Sequence, residues 1–157
     1  MTDLYTANRE FLAPFDPNRP PDFWTVDWQL HSLRRLEDDR QAEMGERFLI
    51  EADGEPGGVI SVSRVFRGPF QNAGIGYWVD KDLNGRGIAT QAVHQVCEWG
   101  FGLARLHRIE AATLVDNVAS QTVLRRNRFS EIGLSRNYLH IAGAWRDHLL
   151  FARTVED

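Results

Sequence analysis

The sequence predicts a mixed α/β domain: one largely antiparallel sheet with helices on both faces. Three observations carry this. Between residues 46 and 79, short runs of alternating polarity are separated by Gly- and Pro-rich turns, the pattern of strands joined as hairpins. A helix-period stretch, Gly87 to Ala104, lies between two strand-like runs, Phe70–Val79 and His107–Val115. A strand–helix–strand crossover sets those strands parallel. Two more strand-like runs flank Ala142-Gly143-Ala144 near the end of the chain. A crossover among hairpins gives a mixed sheet, and helices must cover both of its faces.

The size fits one domain spanning residues 1–157, with 43% hydrophobic and 25% charged residues. Nine Phe and five Trp exclude a disordered chain. The single Cys97 excludes a disulfide scaffold and suits a reducing cytoplasm. No run approaches the roughly 18 apolar residues of a membrane span, and MTDLYTANREF lacks the regions of a signal peptide. A net charge of −4 argues against direct nucleic-acid binding. It leaves room for one anionic ligand held by backbone groups.

In chain order, Thr2 or Asp3 can cap a first helix carrying Leu4, Tyr5, Ala7, Phe11 and Leu12. Four of the six prolines fall in 14–21 and end it in an ordered loop. Asp22 can cap a long helix to about Met44, with Phe23, Val26, Leu30, Leu33 and Leu36 near helical spacing. In the next strand Phe48, Ile50 and Ala52 alternate with Arg47, Leu49 and Glu51. Asp53 to Gly58 is turn chemistry, Val59–Phe66 a second strand and Arg67-Gly68-Pro69 a second turn. Phe70–Val79 follows, with Gly74 and Gly76 on the face where another group can approach the backbone. The helix from Gly87 carries Ile88, Ala92, Val96, Trp99 and Leu103 on one stripe, with Cys97 as core filling. Strand His107–Val115, helix Ala119–Asn127 and strands Phe129–Ile141 and Trp145–Val155 complete the chain.

Chemistry concentrates in Gly76 to Thr90, where a strand ends, a turn holds Gly85 and Gly87, and a helix begins. The first N–H groups of a helix lack internal partners and sit at its positive end. Glycines let an anion come close to them. The N–H groups from Gly85 through Ile88 and Ala89 to Thr90, with Arg86 as added charge, make a candidate phosphate cradle. It is not a Walker loop, which needs Gly-Lys-Ser/Thr, nor a Rossmann fingerprint, because Thr90 stands where a third Gly or Ala belongs. On spacing alone, a plain glycine turn starting a helix stays open.

Asn84-Gly85-Arg86-Gly87-Ile88-Ala89 resembles the acyl-CoA-binding motif of the GNAT acetyltransferase superfamily. Residues 8–12 with Pro14, 65–70, 106–111, 116–120, 125–129 and 143–148 resemble its Rim-type branch (RimJ/RimL-like), whose members acetylate the α-amine of ribosomal proteins. The resemblance covers nearly the whole chain. It implies the GNAT fold, acetyl-CoA as donor and no metal. The strands 70–79 and 107–115 should splay to admit the pantetheine arm, which would pair with backbone groups of Trp78 and Val79. Gly85 to Ala89 would hold the pyrophosphate. Asn117 would bond the pantetheine, Ser120 would lie near the thioester sulfur, and Arg126 and Asn127 would line the far side of the channel. Asn84 is shorter than the Gln or Arg common at its position, which leaves the phosphate to the backbone cradle.

The resemblance further implies direct acyl transfer, with an N–H near Val79 stabilising the oxyanion. The Glu and Tyr that the family often uses as base and acid fall here at Gly74 and Leu124. Glu110 remains as a candidate base, and Ser120 as the group orienting the sulfur or a water. Tyr138 and His140 can face the acceptor. Phe15, Phe23 and Arg67 are candidate acceptor contacts. The unperturbed pKa of an α-amine is about 8 and that of Lys about 10.4, so at pH 7 about a tenth of the former is neutral and under a thousandth of the latter. A site short of acid–base residues therefore suits an α-amine.

The expected function is acetylation of a protein N-terminus in the cytoplasm. Its partners would be acetyl-CoA and a protein or peptide N-terminus, acting on a monomer or homodimer. Two alternatives stay open: a small-amine acetyltransferase, and a non-catalytic CoA-binding module. The resemblance also implies a strand ahead of the first helix, while this sequence starts partway into that helix. The expectation is a sheet edge either open or covered by another chain, with lower stability than a longer relative.

Overall fold

The computed structural model describes residues 1–157. Six strands form one sheet: β1 Glu46–Ala52, β2 Glu55–Phe66, β3 Asn72–Val79, β4 Arg108–Leu114, β5 Ser130–Ile141 and β6 Ala144–Thr154. Their order is β1-β2-β3-β4-β6-β5, with β3 and β4 parallel and every other pair antiparallel. The crossover between β3 and β4 is α4, Ile88–Phe101, and α5, Val118–Arg126, follows β4. The helices α1 Thr2–Ala7, α2 Arg9–Leu12 and α3 Val26–Gln41 precede the sheet. The expected mixed sheet with helices on both faces is what the chain forms.

Alternation along β3 decides the two faces. Ala73, Ile75 and Val79 pack with Val93, Val96 and Cys97 of α4, Leu124 of α5 and Phe151 of β6. Burial pushes the Cys97 thiol up to about 11, so it supplies no thiolate at neutral pH and fills core. On the opposite face Tyr5, Leu12 and Phe23 form a smaller cluster with Trp24, Trp28 and Trp78.

Several boundaries differ from the sequence expectation. The first helix starts at Thr2 without a side-chain cap and breaks at Asn8. Pro21–Trp24 forms a 3-10 turn, so Asp22 is not the cap; Thr25 caps α3 by accepting from Trp28 N–H at 3.2 Å. The aromatic cluster around Phe23 then sets the rotation of α3. Gln29 is buried, its Nε2 donating to the Phe23 carbonyl at 2.9 Å, while Val26, Leu30 and Leu33 face outward. β2 starts at Glu55 because Asp53 and Gly54, with φ of 56° and 84°, complete the hairpin in two residues. Leu103 lies beyond the end of α4 and is 84% exposed, so it leaves the predicted stripe. No helix is long and apolar enough to cross a membrane.

Candidate active site

β3 and β4 pair only from Asn72–Arg108 to Ile75–Ala111. Beyond Ile75, β3 stays paired with β2 as far as Val79, and β4 stays paired with β6 as far as Leu114. Their facing edges are free, and the sheet has a wedge-shaped gap. The Asp80 N–H donates to the Gly57 carbonyl at 2.8 Å. Strand alternation therefore turns the N–H and C=O of Val79 into the gap and those of Trp78 toward β2. Main-chain pairing in the gap falls to Val79, and Trp78 contributes its ring instead.

On the α4–α5 face, a cavity of about 460 Å³ lies between the end of β3, the turn before α4 and one side of α5. Asn84, Gly85, Gly87, Ile88, Ala89 and Thr90 line one wall, and Asn117, Ser120 and Arg126 line another. Gly85 and Gly87 have φ of +77° and +80°, and a Cβ on either would meet open space. Positive φ requires glycine here, and the open space is where a ligand can reach the backbone. Gly87 caps α4 without a side-chain bond, so the first N–H groups of α4 stay available to an anion. Arg126 is exposed and lies in the cavity wall.

On the other face, a cavity of about 390 Å³ is lined by residues of the loop after α2, of β2 and of β4, and by His148. The two cavities share Leu12, Phe15, Tyr77, Trp78, Asn117 and Ser120. They meet at the gap. Asn117 caps α5 by accepting from the Ser120 N–H at 3.1 Å. The Tyr77 hydroxyl lies 2.9 Å from Ser120 Oγ and 3.2 Å from the Ser120 carbonyl oxygen. Burial pushes the Tyr77 phenol up to about 12, only partly offset by its bond to Ser120, so it stays a neutral donor. Trp78 Nε1 and Thr113 Oγ1 are buried without a partner, and both residues line the acceptor-side cavity. Open glycine backbone, an uncapped helix start, a nearby cation and orphaned polar atoms at the junction fit a long anionic thioester.

Of the residues predicted for the site, several lie elsewhere. Arg86 points away from the cradle and pairs with Asp53 at 2.8 Å. It lines a different hollow, beside β1. Asn84 does line the cavity, but its side chain turns back to the Lys81 carbonyl at 3.2 Å. Asn127 is buried and donates to the carbonyls of Thr90 and Val123, both at 3.0 Å, so it clasps α5 to α4 instead of lining the channel. Arg67 bonds the Ala104 carbonyl at 2.6 Å and pairs with Glu43 at 3.1 Å, at the far end of β3. Glu110 faces Gly74 on the fully paired part of β4, held by Arg108 at 2.7 Å, outside both cavities. The Gly74 position is covered by the Arg64 guanidinium. Tyr138 lines neither cavity but packs its ring on His148, with centroids 5.5 Å apart. His140 is exposed and meets Trp145. Phe15 lines both cavities, whereas Phe23 lines only the acceptor side. Tyr77 and His148 were not singled out from sequence. The signal for Tyr77 was its place on the core-facing side of β3, just before the gap.

A split sheet holding an anion cradle on one face and a groove on the other defines an acyl-CoA-dependent transferase. The chain belongs to the acetyltransferase (GNAT) domain family, which matches residues 3–130. It is 36% identical over 153 residues to the probable N-acetyltransferase YjcK of Bacillus subtilis, covering 95% of this chain and 83% of that protein. It is 31% identical over 159 residues to the ribosomal protein uS5-alanine N-acetyltransferase of Escherichia coli, covering 100% and 82%. Among solved structures, Mycobacterium smegmatis RimJ in complex with CoA-disulfide superposes with a TM-score of 0.95 at 35% identity, covering 99% of this chain and 76% of that one. The protein is an N-acetyltransferase that takes its acetyl group from acetyl-CoA.

Proposed function

We propose that this enzyme acetylates the α-amino group of a protein N-terminus, of the ribosomal-protein type, by direct transfer from acetyl-CoA in the cytoplasm. The observation that carries this reading is the charge of the acceptor-side cavity. Its only lining carboxylate, Asp16, is engaged by Arg19 at 2.8 Å, and Arg47 adds a second cation. A lysine side chain or polyamine arrives protonated and finds no free counter-charge there. An α-amine is neutral about a tenth of the time at pH 7 and needs little help. The ribosomal class of acceptor is supported by the E. coli relative, which acts on the alanine of uS5.

In this reading the N–H groups of Gly85 to Thr90 and the Arg126 side chain hold the phosphates. Val79 offers main-chain groups to the pantetheine and the oxyanion. Asn117 and Ser120 flank the sulfur, and Phe15 and Trp78 wall the acceptor. A panel of N-terminal peptides, matched peptides with a blocked N-terminus and a free lysine, and small polyamines tests it. Faster CoA release with the N-terminal peptides is the expected result. Faster release with lysine or polyamine would reject the α-amine reading.

A further inference from the structure

We propose that His148 is a catalytic residue of this transferase, its Nε2 taking the proton from the attacking amine. The assignment rests on acetyl transfer to an amine, and uses the α-amine reading only to choose the first acceptor. His148 lies on β6, opposite Leu114 of β4 and Ser135 of β5. It is 3% exposed and lines the acceptor-side cavity together with Trp78, Thr113, Asn117 and Ser120.

The hydrogen-bond pattern fixes its chemistry. Nδ1 is 3.0 Å from the Arg146 carbonyl oxygen. A carbonyl only accepts, so in the neutral ring Nδ1 carries the proton and Nε2 is left with a lone pair. Nε2 makes no hydrogen bond within the protein, yet it is not sealed from solvent. The ring is held by Tyr138 at a tilt of 59°. The Asn117 N–H donates at 3.0 Å to the carbonyl of Leu114, the residue opposite His148, which ties the start of α5 to the strand beside the imidazole.

Nothing else in the cavity can take this proton. Asp16 is bound by Arg19, and Glu110 is bound by Arg108 outside the cavity. The Tyr77 phenol is already protonated. The other ionisable groups around the cavity are Tyr5 from α1 and Arg47 from β1. Beside it, Tyr138 packs from β5, and Asp116 pairs with Arg146 at 3.3 Å.

The step balances without a further reactant. The amine lone pair forms the C–N bond to the thioester carbonyl carbon, and the carbonyl π pair moves onto oxygen. One N–H proton passes to Nε2. As the carbonyl re-forms, the C–S bond breaks and sulfur leaves with the bonding pair. The imidazolium proton then reaches the thiolate directly or through water, giving the amide and the CoA thiol.

His148→Asn keeps a donor near the Nδ1 position and deletes Nε2. The test measures its kcat and acceptor KM between pH 5 and 9 with an N-terminal peptide, and its acetyl-CoA Kd. The expected result is an acetyl-CoA Kd and acceptor KM within about threefold of the parent, a kcat lower by about 10²-fold, and loss of the acid limb of the kcat profile. A kcat within threefold of the parent with the acid limb intact would overturn the proposal. The unsubstituted enzyme gives an independent readout through the ¹⁵N shifts of its labelled histidines. A His148 ring with Nδ1 protonated, and with an Nε2 resonance that moves when acceptor peptide is added to the CoA complex, is expected. The opposite tautomer, or an unresponsive Nε2, overturns the proposal even if the variant does not fold. If only small amines are acetylated, the same measurements run with such an amine. The N-terminal reading then fails while His148 is still tested.

Discussion

The Tyr77 hydroxyl sits 2.9 Å from Ser120 Oγ, joining β3 to α5 across the gap in the sheet. Neither residue has another side-chain partner at that point, so each sets the position of the other. Ser120 Oγ is the hydroxyl placed where both cavities meet. Ser120→Ala is expected to lower kcat by about 10- to 100-fold while the acetyl-CoA Kd stays within about threefold, because the backbone cradle is untouched. Tyr77→Phe leaves Ser120 in place but free to turn. It should cost about 1 kcal/mol of stability and reduce kcat less than Ser120→Ala does. Steady-state kinetics beside calorimetric binding checks both, and a larger kcat loss for Tyr77→Phe would reverse the assigned roles.

The same tyrosine predicts a stability change in alkali. Its phenol rises from about 10 in the unfolded chain to about 12 in the folded one, chiefly through burial. The folded state keeps its proton where the unfolded state has lost it. Its contribution is therefore complete below pH 10 and disappears as pH rises from 10 through 12. Two pKa units correspond to about 2.7 kcal/mol at most. Urea unfolding at pH 9 and pH 11 should show a larger loss for the parent enzyme than for Tyr77→Phe. Equal losses would show that the phenol does not resist ionisation.

These expectations were partly legible in the sequence. Gly85 and Gly87 could be read because a helix start after two positive-φ positions demands glycine, and local chemistry decides that. Arg86, between them, could not. It can turn to either side of the cradle, and Asp53, far away in sequence at the β1–β2 hairpin, takes it. Asn127 depended on the Thr90 carbonyl in the same way. The outward face of α3 was misread because Val26, Leu30 and Leu33 have helical spacing, while the clustering of Phe23, Trp24 and Trp28 sets which side packs. His148 was hidden because strand alternation places a side chain on a face, but cannot say that the neighbouring strands part beside it.

Arg86 and Arg126 therefore separate by experiment. Arg126 lines the acetyl-CoA cavity, and Arg86 does not. Arg126→Ala should raise the acetyl-CoA Kd by about 3- to 10-fold at low salt, an effect that shrinks as salt screens the phosphate charge. Arg86→Ala removes an exposed pair, worth about 1 kcal/mol or less of stability, and should leave the Kd within twofold. Titration at two salt concentrations reads both. A salt-sensitive loss for Arg86→Ala alone would place the phosphates on the other side of the turn.

Asn8 links the first helices to the site, and its loss should be felt in both stability and acceptor binding. It is fully buried, donates to the Leu4 carbonyl and to Asp80 Oδ2, both at 3.0 Å, and accepts from the Lys81 N–H at 2.9 Å. Asn8→Ala strips partners from several polar groups at once, and should cost about 2–4 kcal/mol at pH 7. Asp80 is held below the usual carboxylate range first by the Asp82 N–H and then by Asn8. A lowered carboxylate stabilises above its unfolded pKa and loses that contribution as pH falls. The gap between parent and variant should therefore narrow on going from pH 7 to pH 3 in urea unfolding. The chain after Asn8 carries Phe15 and Asp16 to the acceptor-side cavity, while the phosphate cradle stands apart from it. The acceptor KM should rise by more than the acetyl-CoA Kd. Equal effects on the two would mean that Asn8 supports the fold without positioning the acceptor.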